Sequence, residues 1–191
     1  MIRKGDKLEN PVTGEVMIFH RTSHETGGEV VQVETIVRRG GFVAARHVHP
    51  YQTERFEVLE GELGLLVGDR ELVVGQGDVA TVQPGTPHRF WNAGEGDARF
   101  LCEVRPALEF ESLIETMFTL AAEGKTNRKG ISNPLRLAVI ARSHFDTVRL
   151  PFPPTPLQRL MLAVAAPLGR ALGYRPTYAP ALPLRAIRGT A

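Results

Sequence analysis

Turn-forming residues interrupt the first hundred residues so often that only short strands fit between them. Apolar and β-branched stretches cover residues 16–21, 30–38, 42–48, 56–59, 63–67, 72–74, 79–82, 88–92 and 98–104. Between them lie the polar run 22–28 (TSHETGG), the pair Gly68-Asp69, and the clusters 75–78 (GQGD), 84–87 (PGTP) and 93–97 (AGEGD). Strands spaced about 8–12 residues apart, each closed by turn chemistry, predict an all-β sandwich or barrel.

The pattern changes at Arg105-Pro106. Leu108, Phe110, Leu113, Ile114, Met117, Phe118 and Ala121 recur at helical spacing up to Gly124. Asn133-Pro134 pairs a capping side chain with proline at the first helical position, so a second helix is expected to about His144. Thr155-Pro156 repeats that signal for a third helix over 157–172, stopped by Gly173 and expected to kink at Pro167. The tail from Arg175 is expected to be irregular. The reading is therefore a β domain at 1–106 and a helical extension at 107–191, mainly β as a whole. Charge divides at the same place. Residues 1–106 hold 12 Lys and Arg against 16 Asp and Glu; residues 107–191 hold 11 against 5.

Composition narrows the chemistry. The single cysteine, Cys102, excludes an intramolecular disulfide and a cysteine-based zinc cluster. On its strand it is expected to be a small core residue, not a nucleophile. The first residues, MIRKGDKLENP, lack the apolar stretch of a secretory signal, and the apolar run 160–168 is far short of a membrane span; a cytoplasmic location is the expectation. There is no G-x-S-x-G elbow and no phosphate-binding glycine loop.

The chemistry concentrates in 41–61, GFVAARHVHPYQTERFEVLEG. In an extended strand, side chains at i and i+2 share a face, so His47 and His49 would project together. Pro50 would end that strand, and the returning one would bring Glu54 opposite the imidazoles. His88, in QPGTPHRFWN, is the fourth candidate. Imidazoles with a carboxylate suit a first-row divalent ion. His20, His24 and His144 have no such company and are expected on the surface or in loops. By the same alternation, Val43, Ala45, Phe56, Val58, Phe90 and Asn92 would face inward and line a substrate pocket, largely apolar with one amide. Arg46, Arg55 and Arg89 would face outward with Val48, Leu59 and Trp91, and outward apolar residues need a cover.

Two spacings carry a family resemblance. Gly41, five residues, His47-Val48-His49, four residues, Glu54, six residues and Gly61 resemble the first cupin motif. Gly77, five residues, Gln83-Pro84-Gly85, two residues, His88, three residues and Asn92 resemble the second. The family usually has proline where Gln83 stands; here it falls one residue later, and no ligand is lost. The resemblance covers about residues 12–106 and implies a double-stranded β-helix, a jelly-roll barrel with a metal inside one end. It implies His47, His49, Glu54 and His88 as metal ligands, with one or two coordination positions left open. Fe(II) or Mn(II) is the favoured ion, and Zn, Ni, Co or Cu would also be accepted by such donors.

Cupins include dioxygenases, decarboxylases, isomerases and proteins that only bind ligands, so the fold does not name the reaction. A metal-dependent, dioxygenase-type oxidoreductase acting on a small organic molecule is the first expectation, with Glu54 as a ligand that could also serve as base. A non-catalytic metal-dependent binding or sensing module is the second. An isomerase, lyase or decarboxylase is the third. The resemblance also raises the expectation of a homodimer. Nucleic acid is not an expected partner, because the basic extension lacks interleaved aromatics. The extension is expected to be a helical cap or a dimer clasp. A further reading is peripheral membrane contact, with Leu157, Leu160, Met161, Val164 and Leu168 as an apolar stripe and Arg170, Arg175, Arg185 and Arg188 as nearby cations.

Overall fold

A computed structural model of the chain describes residues 1–43 and 45–180. Its strands are β1 (Lys7–Asn10), β2 (Glu15–Arg21), β3 (Val31–Val37), β4 (Thr53–Glu60), β5 (Glu62–Val67), β6 (Arg70–Gly75), β7 (Val79–Val82), β8 (His88–Asn92) and β9 (Ala98–Arg105). Its helices are α1 (Phe110–Ala122), α2 (Pro134–Ser143) and α3 (Thr155–Ala171). The strands form an antiparallel six-stranded sheet in the order β1-β2-β3-β9-β4-β7 and a three-stranded sheet in the order β6-β5-β8. This is a jelly-roll barrel followed by a helical extension.

Period-two patterning builds the barrel interior. On β3, Val31, Val33, Thr35 and Val37 are buried and their neighbours are not; β9 buries Ala98, Phe100, Cys102 and Val104 in the same way. β4 buries Glu54, Phe56 and Val58, so one strand delivers both a carboxylate and two core residues to the interior. Leu63 and Leu65 of β5 and Phe90 of β8 join the same core from the smaller sheet. Phe56, Phe90 and Phe100 meet with ring centroids 5.4–6.1 Å apart, a separation at which tilted and edge-to-face rings attract. Gly61 makes the tight β4–β5 turn at φ 74°, and a Cβ there would stand 2.5 Å from the Asp97 carbonyl oxygen. Both observations require glycine.

The stretch 42–48 departs from the expected strand. It touches β8 through the bridges Phe42–Trp91 and His47–His88, five residues apart on one side and three on the other. The ladder thus loses register at the bend of Ala45. Further on, Val48 exchanges backbone hydrogen bonds with Arg149 of the extension, 2.8 and 3.0 Å. Val48 is buried beneath that contact. The extension therefore supplies the cover this outward apolar residue needs.

Within the extension, α1 starts two residues later than the apolar spacing suggests, because Leu108 adopts φ 45°. Asn133 caps α2 as expected, its side chain accepting from the Leu135 and Arg136 amides. Thr155 does not cap α3; Pro154 precedes the helix and Thr155 is its first residue. α3 runs unbroken through Pro167. His144 is no surface residue: it is 2 % exposed, closes α2, donates from Nδ1 to the Ile140 carbonyl and accepts at Nε2 from the Ser112 hydroxyl. Arg185 and Arg188 lie outside the described residues.

Glu15 is a buried acid away from the histidines. Burial pushes its carboxyl up to about 7, only partly offset by a hydrogen bond from the Thr13 hydroxyl. An acid whose folded pKa is raised contributes its stability in full below its ordinary value of 4.5 and loses it as pH rises through about 7. Glu15→Gln is therefore expected to remove roughly 3 kcal/mol of the stability lost between pH 5 and pH 8. Denaturant titrations at the two pH values check this, and identical pH profiles for both chains would count against it.

Candidate metal centre

Three segments converge on one point inside the barrel. β4 brings Glu54 and β8 brings His88, while the bent stretch before Pro50 brings His47 and His49. The four ligand atoms all lie within 4.8 Å of one another. His49, Glu54 and His88 are buried, and His47 is partly exposed. The imidazole centroids are 4.4, 4.9 and 5.5 Å apart.

Each imidazole is held from behind. The Nδ1 of His47 bonds to the Ala45 carbonyl at 2.8 Å, that of His88 to the Thr86 carbonyl at 2.9 Å, and that of His49 to the Thr147 carbonyl at 2.6 Å. A carbonyl can only accept, so Nδ1 carries the proton in all three rings. In the neutral ring that leaves Nε2 with a free lone pair, the tautomer a metal ligand needs. Gln52 adds a second acceptor to His49 at 3.0 Å. Its own amide nitrogen donates to the Pro106 and Ala107 carbonyls, 2.9 Å each.

The front of the site fits a cation. His88 Nε2 and Glu54 Oε2 face each other at 2.5 Å, and neither has any other partner. His49 Nε2 lies 3.5 Å from Glu54 Oε1. Buried polar atoms with so few partners are costly, and four potential ligand atoms within 4.8 Å of one another offer a cation a ready donor set. Three imidazole nitrogens and a carboxylate would hold a divalent transition ion.

Electrostatics agree with this. Burial, with His49 and His88 alongside, drives His47 down to about 3, so it is neutral at ordinary pH. Burial raises Glu54, but the surrounding imidazoles outweigh it and bring the carboxyl to about 2. At His88 burial favours the neutral ring, while the hydrogen-bonding distance and charge of Glu54 raise it overall. An ion entering the site would displace that proton, so loading weakens as pH falls. Burial raises the Cys102 thiol well above its ordinary range, consistent with a core residue and not a nucleophile.

The six residues expected to line a pocket separate in space. Phe56 and Val58 are core. The Asn92 amide is spent on structure: its nitrogen donates to the Val37 and Gly96 carbonyls, and its oxygen accepts from the Gly94 amide. Val43, Ala45 and Phe90 border an outer groove of about 490 Å³, lined also by Arg46, Arg89, Lys129, Glu71 and Trp91. Ala45 belongs to both places, since its carbonyl holds His47. Gln52 and Thr147 were not expected at the site. Gln52 lies between two ligands in the first motif, which is a usable signal; Thr147 lies 98 residues from His49 and carries none.

Residues 33–104 match the family model Cupin_2, described as a cupin domain. The barrel of this chain is a cupin domain, carrying a candidate His/Glu metal site and a helical extension. An oxidoreductase of Arthrobotrys oligospora is 30% identical over 83 residues, 43% of this chain and 31% of that protein. The chain thus spans about a third of the length of that curated relative. The structure of a predicted oxalate decarboxylase from Thermotoga maritima is 19% identical with a TM-score of 0.48, covering 56% of this chain and 98% of that one. An RmlC-like cupin from Shewanella frigidimarina is 19% identical at a TM-score of 0.48, covering 58% and 93%.

Proposed function

We propose that this chain is a metal-dependent enzyme acting on a small organic acid, with a dioxygenase-type oxidoreductase as the reaction class. The observation that carries it is the cluster of His47, His49, Glu54 and His88, whose potential ligand atoms lie within 4.8 Å of one another inside the barrel, His88 Nε2 and Glu54 Oε2 having no partner but each other. A divalent transition ion held there would supply Lewis-acid activation of an oxygen donor and, as iron or manganese, redox chemistry. The oxidoreductase relative supports the redox assignment over a redox-neutral one. Glu54, with a carboxyl near 2, is a weak proton acceptor at neutral pH and serves as ligand. In their neutral form the three histidines present Nε2 as the free donor, because their carbonyl acceptors hold the proton on Nδ1.

The groove beside Ala45 suits the substrate. Arg46, Arg89 and Lys129 outnumber the one acid of the lining, Glu71, and favour a carboxylate, although Arg46 is already held by the Gly68 carbonyl and Asp69; Phe90 and Trp91 favour an apolar or aromatic body. Protein purified without chelator is expected to carry a transition ion by elemental analysis. Oxygen consumption in a screen of small carboxylic acids is then expected to depend on that ion. Tight binding of an acid with neither oxygen uptake nor product would favour the second reading, a non-catalytic binding module. The packing of Phe56, Phe90 and Phe100 into the barrel core is the observation that favours that reading.

A further inference from the structure

Helix α3 is inverted relative to an ordinary surface helix. It turns its small residues inward: Ala166 and Gly169 are buried, and a Cβ on Gly169 would stand 2.5 Å from the Leu135 carbonyl oxygen of α2. The two helices therefore meet backbone to backbone. Its large residues face out. Leu157, Leu160, Met161, Val164 and Leu168 are 47–63% exposed, and their spacing puts them on one stripe. Leu150 and Phe152, just before the helix, are 53% and 76% exposed. Among the described residues nothing covers this stripe. A contiguous apolar face of this kind marks an interaction surface.

Charge selects the occupant. From residue 124 to 191 the sequence has eleven Lys and Arg and one acid, Asp146. α3 itself carries Arg159 and Arg170 and no acid. A second copy docking through a two-fold axis would set this cationic segment against itself. An anionic bilayer surface satisfies both properties: the leucines enter the acyl boundary while the arginines meet the headgroups. No helix among the described residues is long and apolar enough to cross a membrane, so the contact is peripheral.

We propose that the exposed face of α3 docks the protein on anionic membrane surfaces, a role independent of the metal chemistry. The test is co-sedimentation of the full chain with phosphatidylcholine vesicles, with and without phosphatidylglycerol, at low and high salt. Binding is expected to rise at least about tenfold with the anionic lipid and to fall in high salt. The variant L160E/V164E, at two solvent-facing positions outside the His/Glu cluster, is expected to lose vesicle binding while keeping its metal content and circular dichroism spectrum. Three results would overturn the proposal: no sedimentation of the unaltered chain, equal binding by the variant, or a stable dimer by light scattering that the variant converts to monomer. The last would make a second copy the occupant.

Discussion

Replacing His88 with alanine is expected to lower divalent-ion affinity by at least about 100-fold, more than loss of a supporting residue usually costs. The ring is 1% exposed and is one of four candidate donors among the described residues, so solvent cannot stand in for it. Its loss also leaves Glu54 as a buried carboxylate with one fewer neighbour. Gln52→Leu is expected to cost less, about 10-fold. It removes one acceptor from His49 while the Thr147 carbonyl keeps the ring in its tautomer. Competition with a chromophoric chelator measures both, with circular dichroism of the metal-free proteins as the check on folding. Unchanged affinity in the histidine variant would rule out these four residues as the metal centre.

Phe56→Ala is expected to destabilise the chain by about 3–5 kcal/mol, the usual range for emptying a buried aromatic site. Phe56 is 1% exposed and contacts two other phenylalanines, so its absence opens a cavity that neighbouring strands cannot close without bending. It also stands two residues from Glu54 on β4, facing the same way. The denaturation midpoint reads the first effect. A loss below about 1 kcal/mol would mean that the three rings do not form a shared core.

What could be read from the residue order depended on range. β4, β8 and β9 announce themselves by alternation, and the ligands by spacing that a barrel converts into proximity. Asn133-Pro134 marks the start of α2 because cap chemistry is local. β1 has no such mark: KLEN is short and polar, and becomes a strand by pairing with β2. The stretch 42–48 looks like a strand because its composition is right, but its two ends answer to different partners, β8 and Arg149. The apolar stripe of α3 was visible, yet which side faces α2 is decided by how closely Gly169 lets the backbones approach.

The bond from His49 to the Thr147 carbonyl has a thermodynamic consequence. The extension is not a passive cover, because its backbone fixes the orientation of a candidate ligand. An ion that binds best when His49 is held by Thr147 must in turn strengthen the hold of the extension on the barrel, and by the same free energy. Metal loading and docking of the extension are thus one linked equilibrium. Protease protection of residues near Thr147 should increase on metal addition, reporting on the barrel from outside it.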